Sequence, residues 1–335
     1  MTKHSSRPAR RLVTLIGLIG IALLGAACGS SGDGDGSTGD ELTVAFVPGV
    51  TQNPYFSTIR QAMVEVGNEN GIKVDYQGTP NFDPAQQTKV LDAVLAQRPD
   101  LLVLAPTDPV ALRAPVERFL RAKIPVIIVD GALTDDSDLV STIQGDGVQG
   151  GNVAGAQMAK LVGGSGTVAI INIVAGNINL DARVKGFKDA LAEAAPQVKI
   201  APIQNAGGNP SGSQAAARSL LVAYPDLKGI FGVTEVNAEG AAAALKAAGK
   251  TGTVPVIAYD ATPLEVKYLE SGQIQYLVAQ DARGVGKQAM EYAVAYLKGD
   301  RSSIKKSVVL ETKGIDLAST GSPDVKPFLY APADN

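Results

Sequence analysis

The chain has 335 residues, with 30 Lys and Arg against 33 Asp and Glu, one His, one Cys and no Trp. The single His is His4, in a basic and apolar N-terminal stretch, so Ser-His-Asp catalysis, Cys-His catalysis and any His-bearing zinc site are excluded downstream of it, while carboxylate-only and Lys-based chemistry remain open. Net charge is −3 and no basic run follows the first eleven residues, so nothing in the chain is built to track a phosphate backbone and no nucleic-acid partner is expected.

Residues 1–27 read as an export signal. Lys3, Arg7, Arg10 and Arg11 form a basic region, and residues 12–27 are an apolar run ending in small residues, shorter than the roughly 20 residues a spanning helix needs. The stretch Leu24-Gly25-Ala26-Ala27-Cys28 resembles a bacterial lipoprotein signal, with one departure: Gly25 stands where the usual Leu does, and Leu24 sits one place early. Cys28 is therefore expected to be lipidated, which also gives a lone exported Cys a reason to exist. The alternative is an ordinary signal cut near Ala27. Residues 28–40 then form a lipidated Cys and a flexible linker, GSSGDGDGSTGD, spanning about 20 Å root-mean-square. Removing the four basic residues of the signal leaves 26 basic against 33 acidic side chains, a net charge of −7.

The folded part begins with an apolar run over 42–47 that Pro48-Gly49 stops. Asn53-Pro54 then opens a helix, with Phe56, Ile59, Met63 and Val66 at helical spacing, so the stretch is a buried strand, a loop and a capped helix. Gly71 ends that helix. A strand over 72–76 follows, then a helix from Asp83-Pro84 with Val90, Leu91, Val94 and Leu95 as its stripe, a buried strand over 101–104, a helix from Asp108-Pro109 and a strand over 126–129. Residues 139–143 read as a strand leading into a glycine-rich turn and a helix over about 147–162. Strands are expected over 168–173, 198–203, 229–233, 254–259 and 274–279. Helices are expected over 180–195, from Asn209-Pro210, over 238–248 ending at Gly249, from Thr262-Pro263, and last one carrying Val285, Ala289, Ala293 and Leu297 and ending at Gly299.

Five of these helices begin with a capping residue followed by Pro, which accepts orphaned N–H bonds at a position where Pro lacks nothing needed. Regular alternation of short apolar strands and helices means parallel sheets. About ten such units exceed one ordinary sheet, so the fold class is α/β with two Rossmann-like lobes, each a parallel sheet flanked by helices, and a ligand cleft between them. Loops at strand C-terminal ends form the walls of such clefts.

The stretches VAFVPGVTQNPYF, LVLAPTDPVAL, IPVIIVDGA, ARVKGF, YPDLKGIFG, VIAYDATP and LVAQD, in that order from residue 43 to about 310, resemble the periplasmic-type sugar-binding proteins of ABC importers, the ribose-, galactose- and allose-binding group. The resemblance implies a type I periplasmic binding fold whose lobes are joined by three crossings, here near Gly145, Gln280 and Ser307. The N-terminal lobe would be 41–144 plus 281–306, and the C-terminal lobe 145–280 plus 307–330. It also implies site residues. Asn53, Tyr55 and Phe56 match an Asn that bonds a hydroxyl and two aromatics that stack on a sugar ring. Asp130, ending IPVIIVD, matches a hydroxyl acceptor. Arg183 matches an Arg reaching into the cleft, whose fixed donors suit neighbouring hydroxyls. Asp260 and Gln280 match an Asp and a Gln of the site, and Tyr259 sits where the family often has an aromatic. Thr51, Gln52, Asn177, Asn179, Glu235 and Asn237 lie in the right loops to add contacts.

Three departures bear on the ligand: Gly49 stands for a Ser of the ribose-binding pattern, Gly131 for an Arg and Thr234 for an Asn. Three hydroxyl partners are lost or shortened. The expected ligand is a small neutral carbohydrate other than ribose, such as another pentose, a deoxy sugar or a sugar alcohol; the Pro-Gly of the first loop is also similar to rhamnose and autoinducer-2 binders of the family. The resemblance implies an ABC permease as partner, an exported and lipid-anchored monomer at the outer face of the cytoplasmic membrane or in the periplasm, and no cofactor, metal or catalytic residue. A binder feeding a membrane sensor is an alternative reading. A carboxylate enzyme using Asp130 and Asp260 is a third, disfavoured because a neighbouring Arg183 would lower a general acid's pKa. Residues 145–150 match GxGxxG, but no acid follows between Gly147 and Leu180 to hold a ribose, so the glycines read as a lobe crossing and close packing rather than a dinucleotide site. A related repressor would need an N-terminal helix-turn-helix where this chain has its signal.

Overall fold

Strand β1, Thr43–Val47, alternates between two cores: Val44 and Phe46 point to one face, Ala45 and Val47 to the other, and all four are buried. The computed structural model describes residues 41–333; the signal, Cys28 and the linker lie outside the described residues. Asn53 caps α1, Pro54–Asn70, by accepting from the N–H of Tyr55, and Gly71 ends it in the left-handed conformation at φ 65°. Then come β2, Lys73–Tyr76, α2, Pro84–Gln97, β3, Leu101–Leu104, α3, Arg113–Arg121, β4, Val126–Val129, and β5, Ser141–Gly145. The chain continues with α4, Gly147–Leu161, β6, Ser165–Asn172, α5, Ile178–Ala194, β7, Gln197–Ile200, β8, Gln204–Asn205, α6, Pro210–Ala223, β9, Leu227–Gly232, α7, Glu235–Ala247, β10, Val256–Tyr259, α8, Pro263–Glu270, and β11, Tyr276–Gln280. Helix α9, Ala282–Leu297, β12, Ser307–Leu310, β13, Thr312–Ile315, and a single 3₁₀ turn, Lys326–Phe328, complete it.

Two sheets result. The first runs β12-β5-β4-β3-β1-β2, all parallel; the second runs β13-β11-β10-β9-β6-β7, with β8 beside β6. In the second sheet β13 is antiparallel to β11, a departure from the expected all-parallel order. It is reached straight from β12 of the other sheet, without the helical crossover a parallel neighbour requires. Helices α1 and α9 cover one face of the first sheet, with Ile59, Met63, Val285 and Met290 against Phe46, while Leu91 and Val94 of α2 and Val116 and Phe119 of α3 cover the other. Each such side chain, fully buried, stabilises the fold by about 1.5–3 kcal/mol relative to exposure.

Four of the five capped-Pro helices start where expected. The fifth does not: Asp108 accepts from the N–H groups of Val110 and Ala111 in a turn, and α3 begins at Arg113. Pro115 explains the delay, since it has no N–H to give the carbonyl of Ala111. Strand β5 begins at Ser141 rather than 139, β6 at Ser165 rather than 168, and α7 at Glu235 rather than 238. The chain passes between sheets at Asp146, at Asp281 and at Glu311. The third point falls after β12, so residues 307–310 belong to the first sheet rather than to the second as expected.

Candidate functional site

In each sheet the strand order reverses next to β1 or β6, the positions where open α/β sheets take ligands. A cavity of about 540 Å³ lies between the two sheets, walled by the loops after β1, β3 and β4 on one side and after β6, β9 and β10 on the other. Of the expected residues, Asn53, Tyr55, Phe56, Asp130, Arg183, Thr234, Asp260 and Gln280 line it, as do Gln52, Asn177, Asn179 and Glu235.

Asp130 and Asp260 are counterparts. Each ends an apolar strand, IPVIIVD or VPVIAYD, gives its N–H to a neighbouring strand (Ile143 and Val278), and takes positive φ, 46° and 94°. Such backbone costs about 1–3 kcal/mol per residue and persists only where surroundings fix it. Arg183 is 5% exposed; its guanidinium lies 3.8 Å from the centre of the Tyr259 ring, and Nη1 donates to the carbonyl of Val233 at 3.0 Å. Burial works against its charge, but facing Tyr259, Asp260 and Asp130 outweigh burial and hold it protonated. Asn53 does two things: Oδ1 caps α1, and Nδ2 donates across the cleft to Oε1 of Glu235 at 2.6 Å.

Burial pushes the Asp130 carboxyl up to about 7 against the opposing pull of Arg183, with Asp260 adding to the rise. Burial also raises Glu239 to about 7, and burial with the neighbouring Asp260 and Glu239 lifts Glu235 well above the usual carboxylate range. The Tyr55 hydroxyl faces Asp130, yet neither it nor Asp130 Oδ1 completes a hydrogen bond of good geometry within the protein, and Arg183 Nε has no partner either. Buried polar atoms are normally satisfied. A hydroxyl-rich molecule in this cavity would supply both donors and acceptors to these atoms.

Two expected residues are not at the cavity. Tyr259 is fully buried beneath Arg183, where its ring supports the guanidinium. Asn237 is also fully buried, accepting from Thr234 Oγ1 and donating to Ser213 Oγ, so it holds the loop after β9 rather than facing a ligand. The departures have spatial reasons. A Cβ on Gly49 would stand 3.2 Å from Phe56 and 3.3 Å from Phe82, and one on Gly131 would stand 2.9 Å from Pro106, so two aromatic rings and a proline occupy the space of the missing side chains. Sequence reasoning missed Phe82, Glu239 and the C-terminal Pro332 and Ala333, all at the cavity. An aromatic such as Phe82 amid the turn residues of TPNFDP is a signal that could have been read.

The glycines of 145–151 are packing devices. A Cβ on Gly150 would meet the Tyr259 hydroxyl at 2.2 Å, and one on Gly151 the carbonyl of Arg183 at 2.2 Å. Gly147 and Gly151 bring α4 against α5 and so fix the helix that carries Arg183, while Gly150 seats α4 on Tyr259.

Two α/β lobes with a polar, aromatic-edged cavity at their facing strand ends define a small-molecule binding protein of the two-lobe cleft type. The chain belongs to the periplasmic binding protein domain family, whose model matches residues 44–301. It is 28% identical over 302 residues to the ribose import binding protein RbsB of Salmonella typhimurium, covering 90% of this chain and 97% of that protein. It is 27% identical over 289 residues to a D-ribose/D-allose-binding protein of Pseudomonas aeruginosa, covering 82% and 88%. An ABC transporter solute-binding protein from Agrobacterium vitis, solved with α-D-tagatopyranose, superposes with a TM-score of 0.83 at 30% identity over 87% of this chain and 99% of that one.

Proposed function

We propose that the protein is an extracytoplasmic solute-binding lipoprotein that captures a small neutral carbohydrate by closing its lobes and delivers it to an ABC import permease. The observation that carries this is the set of buried polar atoms at the cavity, Tyr55 OH, Asp130 Oδ1 and Arg183 Nε, left without good partners in the protein. Relatives that carry ribose or allose and a neighbour solved with tagatose support the ligand class. A pentose other than ribose, a deoxy sugar or a sugar alcohol fits the loss of hydroxyl partners at Gly49 and Gly131. Asn53 and Asp130 on one lobe, with Arg183, Asp260 and Gln280 on the other, would bond hydroxyls, and Tyr55 and Phe56 would face the ring's C–H surface. Cys28, lipidated, would hold the protein as a monomer at the outer face of the cytoplasmic membrane or in the periplasm.

A thermal-shift panel of pentoses, hexoses, deoxy sugars and polyols tests the reading. At a hundredfold excess over Kd one sugar should stabilise by about 2.7 kcal/mol, several degrees in Tm, and Asp130→Ala or Arg183→Ala should abolish that shift. No response to any sugar, or binding that survives both substitutions, would refute it.

A further inference from the structure

The three crossings expected between the lobes are not the whole connection. After β13 the chain buries Val325 and Phe328 in the core of the second lobe, on the side of Ile315 and Ala261. Two residues later Tyr330, 5% exposed, belongs to the core of the first lobe, with its ring 5.5 Å from that of Tyr55. The next residue, Ala331, donates its N–H to Thr58 Oγ1 of α1 at 2.9 Å. The tail is thus a fourth link, passing from one lobe to the other beside the hinge, and Pro332 and Ala333 beyond it reach the cavity wall.

Tyr330 has a defined chemical task at this place. Its N–H donates to the carbonyl of Ala261, next to Asp260. Its hydroxyl oxygen accepts from the backbone N–H of Gln280 at 3.1 Å. That N–H can only donate, so the tyrosine proton is free to go to Asp260 Oδ1, 2.9 Å away. Gln280 Nε2 donates to the same oxygen at 2.9 Å. Oδ1 of Asp260 is therefore committed to two protein donors, and the carboxylate, held at a φ of 94°, is fixed in rotation with Oδ2 left for another donor.

We propose that the C-terminal segment 328–333 is part of the binding site: Tyr330 is a positioning residue that aims Asp260 at the ligand, and Pro332-Ala333 is a wall that limits ligand size. The inference rests on the carbohydrate-binding reading above. A segment that touches both lobes and lines the cavity ties the geometry of Asp260 to the position of α1.

The test uses the full mature chain and whichever sugar of the panel stabilises it. Tyr330→Phe keeps the ring against Tyr55 and removes only the hydroxyl; affinity measured by calorimetry should fall at least tenfold. In an Asp260→Ala background the same substitution should change affinity less than twofold, a non-additivity that a merely structural role would not produce. Ending the chain after Ala331 keeps Tyr330 and removes the wall; sugar-free melting should stay within about 2 °C, while larger sugars gain affinity relative to the preferred one. The inference is overturned if Tyr330→Phe binds within twofold of the parent, if its loss is undiminished in the Asp260→Ala background, or if the shortened chain keeps the parent's rank order of sugars. If no sugar stabilises the parent, the carbohydrate reading itself fails; if one does and these variants behave as the parent, only the tail's role fails.

Discussion

Gly151→Ala sets two magnitudes of opposite sign against each other. Gly151 lies inside α4, where alanine is favoured over glycine by about 0.8–1.0 kcal/mol from helix propensity alone. At this position, however, the added Cβ would stand 2.2 Å from the carbonyl oxygen of Arg183 and 2.8 Å from the N–H nitrogen of Phe187, where ordinary contact begins at 3.4 Å. Both partners are backbone and cannot rotate away. Helix α5 would have to retreat by about 1.2 Å, the difference between 3.4 and 2.2 Å. Gly155 and Gly186 hold the same seam, with Cβ positions 2.4 Å from the Phe187 carbonyl and 2.1 Å from the Val148 carbonyl, so the retreat opens the whole interface. It also disturbs the stacked Phe187–Phe231 pair, whose ring centres are 4.6 Å apart.

Overpacking of this kind costs about 1–3 kcal/mol, and more where neighbours are rigid. Both partners being backbone, the upper half of that range applies, about 2–3 kcal/mol, and less the propensity gain the net expectation is a loss of about 1–2 kcal/mol, which lowers Tm by several degrees at about 2–4 °C per kcal/mol for a domain of this size class. Denaturant unfolding and differential scanning fluorimetry measure it. Because α5 carries Arg183, the variant should also lose sugar affinity by about tenfold, or 1.4 kcal/mol. A variant that melts above the parent would show propensity winning and the seam yielding. A variant that melts lower but binds sugar normally would show that the seam does not position Arg183.

Other outcomes follow from neighbouring features. Gln87, 1% exposed, donates to the carbonyls of Pro48 and Ala105 and accepts from the N–H and hydroxyl of Thr107, tying together the loops after β1 and β3; Gln87→Leu strands these groups and should cost about 3 kcal/mol or more in chemical denaturation, with unchanged stability refuting it. The buried acids make stability pH-dependent. Asp130 and Glu239 are raised to about 7 by burial, so their contribution is full below their unfolded values near 4 and is lost as pH rises through about 7. Sugar-free stability should therefore fall between pH 5 and 8, on the order of 2 kcal/mol per group. Glu239→Gln should flatten that slope, and an equal slope in the variant would contradict the assignment. Cys28→Ser should move the protein from the detergent phase to the aqueous phase on partitioning of cell extracts; equal partitioning would remove lipidation from the proposal.

Most of the architecture was legible because its signals are local. A capping side chain followed by Pro marks a helix start from two residues, and it did so at Asn53, Asp83, Asn209 and Thr262, each accepting from the expected N–H groups. It failed at Asp108 because Pro115, seven residues on, deletes a hydrogen bond the first turn needs. That strand-end acids such as Asp130 and Asp260 lie at the cavity was legible because an acid after an apolar strand has few places to be. What stayed hidden depends on contacts distant in sequence. Tyr259 ends β10 and Asn237 lies in the first turn of α7, both beside the cavity loops, but whether such a side chain meets the cavity or supports its neighbour is set by Arg183 and Ser213, from other helices. The tail was unreadable for the same reason: the partners of Tyr330, Asp260 and Tyr55, lie 70 and 275 residues away.

The composition of the cavity bears on why closure should depend on a ligand. Four carboxylates, Asp130, Glu235, Glu239 and Asp260, face one guanidinium, Arg183. Bringing the lobes together takes water from more carboxyl groups than the protein's own donors answer, so closure alone carries a desolvation cost, which the raised Asp130, Glu235 and Glu239 lessen by holding protons. A sugar hydroxyl donates to such acids, and hydrogen bonds to charged groups contribute about 1.5–3 kcal/mol each. Shifting a two-state equilibrium from 1:99 to 99:1 takes about 5.5 kcal/mol of differential affinity. Two or three bonds made only when both walls are present supply that much. In the proposed binding mode Asp130 on one lobe with Arg183 and Asp260 on the other would meet the condition, because no one lobe presents all three. The Asn53–Glu235 bond works the other way at smaller scale, since it joins the cap of α1 in the first lobe to the first turn of α7 in the second without a ligand. On that proposal, the acids that make the cleft costly to close are the groups that would make closure responsive to what it encloses.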